Sequence, residues 1–135
     1  MKRRIYVAGG SSERLTVART RMAQAVAAGW ELTHDWTQSE GYDRAMSPLE
    51  LRGEALKDIE GIRRADVVWF LWPEKPSEGM CIEFGITLAH IGWSIRAPRA
   101  MVVSGPFFDR CLFALLPVLF FDTHDHALEY LRTRD

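Results

Sequence analysis

Six consecutive apolar residues, Val67-Val-Trp-Phe-Leu-Trp72, constrain this chain more than any other feature. A strand with one face in water alternates apolar and polar residues. An unbroken apolar run therefore reads as a strand covered on both faces, as in a parallel sheet clothed by helices. The run leads into Pro76-Ser-Glu-Gly-Met-Cys-Ile-Glu83-Phe-Gly85, a short Gly-containing turn and then a helix with a carboxylate in its first turn. In an open α/β sheet, ligands bind at the carboxyl ends of the strands. Glu83, on a helix otherwise built of Met, Cys, Ile, Phe, Leu and Ala, is an ionisable group set in an apolar wall there, which is how a reactive carboxylate is made.

The rest of the chain repeats the alternation. Arg4–Ala8 predicts a first strand, ended by Gly9-Gly10; Ser11 or Ser12 is expected to cap a helix whose apolar positions are Leu15, Ala18, Met22, Ala25 and Val26, with Gly29 as its stop. Trp30–Thr33 predicts a short second strand, leading to His34, Asp35 and Trp36 and then a polar loop from Thr37 to Met46. That loop is long enough to be a lid or a substrate-contacting segment, or else disordered. Ser47-Pro48-Leu49-Glu50 is a capping box with proline in the first helical position, so a helix is expected from there to about Arg64. Met80–Ile91 predicts a third helix, Arg99–Val103 a fourth strand, and Phe108–Leu116 a short helical segment. Val118–Phe121 predicts a fifth strand and Thr123 caps a last helix carrying Ala127, Leu128 and Leu131. Five strands alternating with helices mean one α/β domain over residues 1–135, a three-layer α/β/α sandwich on a five-stranded parallel sheet. In a flavodoxin-like (Rossmann-like) order, strands one and three are neighbours and a crevice opens between their carboxyl ends.

Composition narrows the function classes. A formal net charge of −1 leaves no excess of Lys and Arg to displace counterions, which argues against a nucleic-acid polymer as partner. The apolar run from Leu112 to Phe121 is too short to span a bilayer and is broken by Pro117; no signal peptide precedes the first strand; no membrane partner is expected. Cys81 and Cys111 match no metal or redox spacing, and the setting reads as cytoplasmic. Without GxGxxG, Walker motif or paired His and Cys ligands, neither a cofactor nor a metal is expected.

What remains is a small-molecule crevice. The loop Gly9-Gly10-Ser11-Ser12 and the turn Ser77-Glu78-Gly79 would face each other across it, each opening a helix N-terminus that favours an anion such as phosphate. Gly and Ser also simply make good turns and caps. On the helix from Pro48, the positions Leu51, Ala55, Ile59 and Ile62 are expected to face the core. Asp58 projects from that same face, where it is either a structural acceptor or a partner of Glu83 at the crevice. Asp66, at the helix-to-strand junction, reads as a turn or cap. His34 and Asp35 follow the second strand, within reach of a ligand; Trp36 and Trp72 read by default as core or rim residues, or, at strand ends, as aromatic planes that can stack on a nucleobase.

Three segments, Ile5-Tyr-Val-Ala-Gly9, Asp58-Ile-Glu-Gly-Ile-Arg-Arg-Ala-Asp66-Val-Val and Ser77-Glu-Gly-Met-Cys-Ile-Glu83-Phe-Gly85, resemble the nucleoside 2-deoxyribosyltransferase superfamily. That group includes the transferases and the 2'-deoxynucleoside 5'-phosphate N-hydrolases, and the element order matches over nearly the whole chain. The resemblance implies that Glu83 is a nucleophile attacking the anomeric carbon, that Asp58 aids proton handling and that Tyr6 positions the nucleophile. It implies a small-molecule nucleotide or nucleoside as substrate, and a homodimer. Ser77 stands where transferases carry an acidic residue and phosphate-recognising hydrolases carry Ser. That favours a nucleoside 5'-monophosphate hydrolase, because a hydroxyl at a helix N-terminus suits a dianion that a carboxylate would repel. Two positions depart from the pattern: Gly10 stands where such relatives often have Ser, and Cys111 where they present Ser or Asn to the neighbouring subunit's site. A base-exchanging transferase and a non-catalytic nucleotide sensor on the same scaffold are the alternatives.

Overall fold

A computed structural model describes residues 2–93, 100–107 and 119–134, the side chains of Gly92 and Trp93 apart. Within them the chain runs β1 (Arg4–Gly9), α1 (Arg19–Ala27), β2 (Glu31–Leu32), α2 (Pro48–Arg64), β3 (Val67–Leu71), α3 (Glu78–Trp93), β4 (Ala100–Ser104), β5 (Leu119–Phe121) and α4 (His124–Thr133). All strands pair in parallel, in the order β2-β1-β3-β4-β5. This is the expected single α/β sandwich of Rossmann-like type. The helical segment expected over 108–116, Cys111 within it, and Val118 lie outside the described residues.

The chain steps outward from β1 to β2, then crosses back to place β3 on the other side of β1. A right-handed crossover puts successive helices on opposite faces when the direction of winding reverses. Accordingly α1 packs with α4 on one face and α2 with α3 on the other. Every residue of β3 is buried, as an apolar run in a central strand requires. Trp69 and Phe70 are fully enclosed, while Trp72 closes the run edge-on to Phe84 at 5.2 Å between ring centroids. Trp72 is thus a core residue rather than a stacking surface.

Local signals set several boundaries. The Ser47 side chain accepts from the Glu50 N–H at 3.2 Å while Glu50 reaches back to the Ser47 N–H, so the capping box is formed. Thr123 caps α4 through the His126 N–H, and that helix buries Ala127, Leu128 and Leu131. Gly29 ends the first helix at φ +96°, a left-handed conformation that glycine adopts without strain. Asp66 accepts from the Arg4 N–H at 2.8 Å, tying the start of β3 to β1. Ser104 at the end of β4 lies 2.8 Å from the Trp69 indole nitrogen and 2.7 Å from Nδ1 of His124, linking β3, β4 and α4.

Two expectations need correction. Neither Ser11 nor Ser12 caps the first helix. Gly10 precedes a 3-10 turn (Ser11–Glu13), a widened π turn (Arg14–Ala18) follows, and α1 starts after Ala18 with no side-chain cap. Leu15 and Val26 of its apolar set are exposed. On α2, Leu51 and Ala55 are exposed and Ile59 is half-buried; only Gly61 and Ile62 are fully covered. The helix meets the sheet with its last turns, and its first half extends beyond the strand ends.

Gly61 is what lets those last turns come so close. A Cβ there would stand 2.8 Å from Tyr6 Cδ2 and 2.9 Å from His34 Cβ, closer than carbon atoms pack. Gly61→Ala is expected to lower unfolding stability by about 1–3 kcal/mol in a denaturant titration, the usual range for overpacking. Because the displaced ring is Tyr6, the substitution is also expected to reduce any activity that depends on the cleft described next.

Candidate active site

The switch from β1 to β3 opens a cavity of about 340 Å³ at the carboxyl edge of the sheet. Gly9 and Ser11 contribute from the end of β1, Glu54 and Asp58 from α2, and Ser77, Gly79, Met80 and Glu83 from the start of α3. The loop after β2 supplies the remaining wall with Trp36, Ser39, Tyr42 and Met46.

That loop is ordered by bonds distant in sequence. The Asp35 carboxylate accepts from the Thr37 N–H at 3.0 Å and from the Thr37 hydroxyl. Arg14 and Arg19 donate to the Thr37 carbonyl at 2.9 and 3.2 Å, and the Arg14 guanidinium lies 4.1 Å over the Tyr42 ring. The Trp36 indole donates to the Val7 carbonyl at 2.8 Å, leaning the ring over the end of β1. The expected polar loop is therefore two short 3-10 turns, Trp36–Gln38 and Glu40–Tyr42, set against the cleft.

Glu83, Asp58 and Tyr6 converge from three elements. Tyr6 is wholly buried in β1, facing both carboxyl groups. Among the described residues, neither its Oη nor Glu83 Oε2 has a hydrogen-bond partner of good distance and angle, although both atoms are buried. Burial pushes the Glu83 carboxyl up to about 8; the nearby Tyr6 hydroxyl opposes the rise and the Asp58 charge adds to it. Burial also raises Asp58 above the ordinary aspartate value, against the pull of His34, whose Nε2 lies 3.3 Å from Asp58 Oδ1. The Tyr6 hydroxyl is held well above the usual phenol range by burial and then by the two carboxylates. Two acids of unlike environment and a buried phenol give the chemical pieces for nucleophilic attack and proton transfer.

The remaining expected residues divide. Ser77 lines the cleft and caps α3, its Oγ accepting from the Met80 N–H at 3.3 Å. Gly9, Ser11, Trp36 and Gly79 also line it. Gly10 instead packs under Pro73, where a Cβ would meet Cγ at 3.0 Å, and Ser12 is exposed outside the lining. Asp35 faces an adjoining cavity and spends its carboxylate on Thr37. Sequence reasoning missed Glu54, and within the loop Thr37 to Met46, read as a lid, a substrate-contacting segment or disorder, it did not single out Tyr42 and Met46. Only Glu54 carried a local signal, standing four residues before Asp58 and so on the same face of α2. Among the described residues, no group of three His, Cys, Asp or Glu is placed to hold a metal ion, and no helix is long and apolar enough to cross a membrane. Compared with known proteins, the chain matches no family model, no curated protein and no solved structure.

Proposed function

We propose that this protein hydrolyses the N-glycosidic bond of a nucleoside 5'-monophosphate, or of a modified nucleotide, through a glycosyl intermediate on Glu83. The observation that carries the reading is the buried, unpartnered carboxyl oxygen of Glu83 in a cleft it shares with Asp58, above Tyr6. Cleavage of such a bond passes through an oxocarbenium-like state, which a facing carboxylate stabilises and traps. In the ionised form a Glu83 oxygen bonds to the anomeric carbon as the base leaves. Water then attacks that carbon and the ester pair returns to Glu83. Asp58, held by His34, is the group placed to give a proton to the departing base and to take one from the water. Ser11, Ser77 and the Ser77-capped N-terminus of α3 suit the 5'-phosphate. The sequence resemblance supports the same assignment, and on it the working unit is a homodimer. The exposed Leu49, Leu51 and Leu56 of α2 and Ile82 of α3 are apolar side chains that such pairing would cover.

The test is incubation with nucleosides, ribo- and deoxyribonucleoside 5'-monophosphates and dinucleotides, resolving free base by chromatography. Base released from monophosphates by the wild type, and none by Glu83→Ala, is the expected result. Release only with an acceptor base present makes the protein a transferase, and tight binding without turnover makes it a sensor. Asp58→Asn is expected to lower kcat by about 10²–10⁴-fold, the usual weight of general acid–base catalysis, with substrate Kd within a few fold of wild type. An Asp58→Asn protein that is destabilised but fully active would assign that residue a structural role.

A further inference from the structure

Three carboxylates, Glu54, Asp58 and Glu83, face one cavity, and no Lys, Arg or His stands among the described residues lining it. Among the described residues the compensating groups lie behind the wall: Lys57 reaches Glu54 at 3.1 Å from a largely exposed position, His34 backs Asp58 at 3.3 Å, and the Arg14 guanidinium stands 4.1 Å over the Tyr42 ring. The three are not grouped to hold a metal ion. Glu83 lines the cavity, and its Oε2 is buried without a well-formed hydrogen bond. Trp36 and Tyr42 add two aromatic rings, 6.3 Å apart between centroids, of the kind that attract an organic cation; one face of Tyr42 already carries the Arg14 guanidinium, so Trp36 is the ring left to the ligand.

Resting on the hydrolase reading above, we infer that the base this site removes carries a positive charge at its glycosidic nitrogen, as in a pyridinium or an N-alkylated heterocycle. The chemistry then closes without an acid for the first step. A Glu83 oxygen bonds to the anomeric carbon, the carbon–nitrogen bond breaks, and its electron pair neutralises the nitrogen, so the base departs uncharged. In the second step a water oxygen bonds to the same carbon, the ester pair returns to Glu83, and the water proton passes to Asp58 and on to solvent.

The charge also answers a difficulty in the site itself. Among the described residues the titratable groups facing Glu83 are Tyr6 from β1, Asp58 from α2 and Tyr42 from the loop, none of them cationic. With its carboxyl held at about 8, Glu83 is mostly a neutral acid at pH 7 and a poor nucleophile. A bound cation favours the carboxylate. The substrate would thus ionise the group that attacks it, the Glu83 proton leaving to solvent as the cation binds.

Nicotinamide mononucleotide, a fixed cation, and its dihydro form, neutral and nearly the same shape, are the probes. At pH 8 and low ionic strength, Glu83→Gln protein is expected to bind the cationic form at least 10-fold more tightly, and added Glu54→Gln to shrink that ratio at least 3-fold. In wild type the acid limb of kcat for the cationic form, which reports the bound complex, is expected at least one pH unit below 8. The limb of kcat/KM, which reports free enzyme, should stay near 8. Equal affinities, or a kcat limb that stays near 8, together with cleavage of a neutral-base 5'-monophosphate, overturn this inference and leave the hydrolase standing. No binding of either form and no cleavage of any monophosphate overturn both.

Discussion

Glu83→Gln is expected to lose turnover by on the order of 10⁴-fold or more while folding normally, because the amide keeps the shape of the side chain and cannot form the glycosyl ester. Single-turnover measurement of released base is the check. It separates loss of chemistry from loss of binding, since the variant should still bind nucleotide with an affinity close to wild type. The expected effect is this large because the described residues offer no substitute. Asp58 is half-buried and paired with His34, Glu54 is bonded to Lys57, and Tyr6 is far too weakly acidic to ionise. A Glu83→Gln protein within 10-fold of wild type would remove the nucleophile assignment outright.

The same substitution is expected to make the protein more stable, by an amount that depends on pH. Folded, the Glu83 carboxyl holds its proton up to about 8; unfolded, it gives the proton up near the ordinary value of 4.5. The folded state therefore holds more protons between those values, and its stability falls as pH rises through that window. By pH 8.5 the cost of burying the charge is on the order of 2–4 kcal/mol, and Glu83→Gln should raise Tm by about 5–10 °C. His124 works in the opposite sense lower down. Burial takes its imidazole from 6.5 to about 4, so the unfolded state holds the extra proton there and stability rises with pH across that interval. Scanning calorimetry above pH 6.5 isolates the glutamate: wild type should decline toward pH 8.5 and Glu83→Gln should stay flat. A parallel decline in both proteins would place the titrating group elsewhere. On the proposed reaction, Glu83 trades stability for reactivity.

Much of the fold was readable because its signals are local. Ser47 caps α2 and Thr123 caps α4 through bonds that span three residues, and an unbroken apolar β3 can only be central in a sheet clothed on both faces. The face of Asp58 was equally readable, since Ile62 lies one turn further along the same helix. What covers a face is a different matter. Spacing puts Leu51 on the stripe of Ile62, but it says nothing of where the sheet ends, and Leu51 projects past that end toward the cleft. The first helix went astray for a related reason, since a π turn leaves no mark in apolar periodicity. Tyr42 and Met46 were hidden because their loop is positioned by Arg14 and Arg19 holding Thr37, contacts that bridge some twenty residues and follow no periodic rule. The pairing of His34 with Asp58 joins the end of β2 to α2, and only the strand order reveals it.

The bridge from Trp69 through Ser104 to His124 has a fixed direction at one end. An indole N–H can only donate, so the Ser104 oxygen must receive it. The hydroxyl keeps a second lone pair and its own hydrogen, so it can meet His124 Nδ1 in either tautomer of the ring. A tryptophan in the middle of the sheet is thus tied to a histidine at the start of the last helix through a single hydroxyl, a link that alanine could not supply.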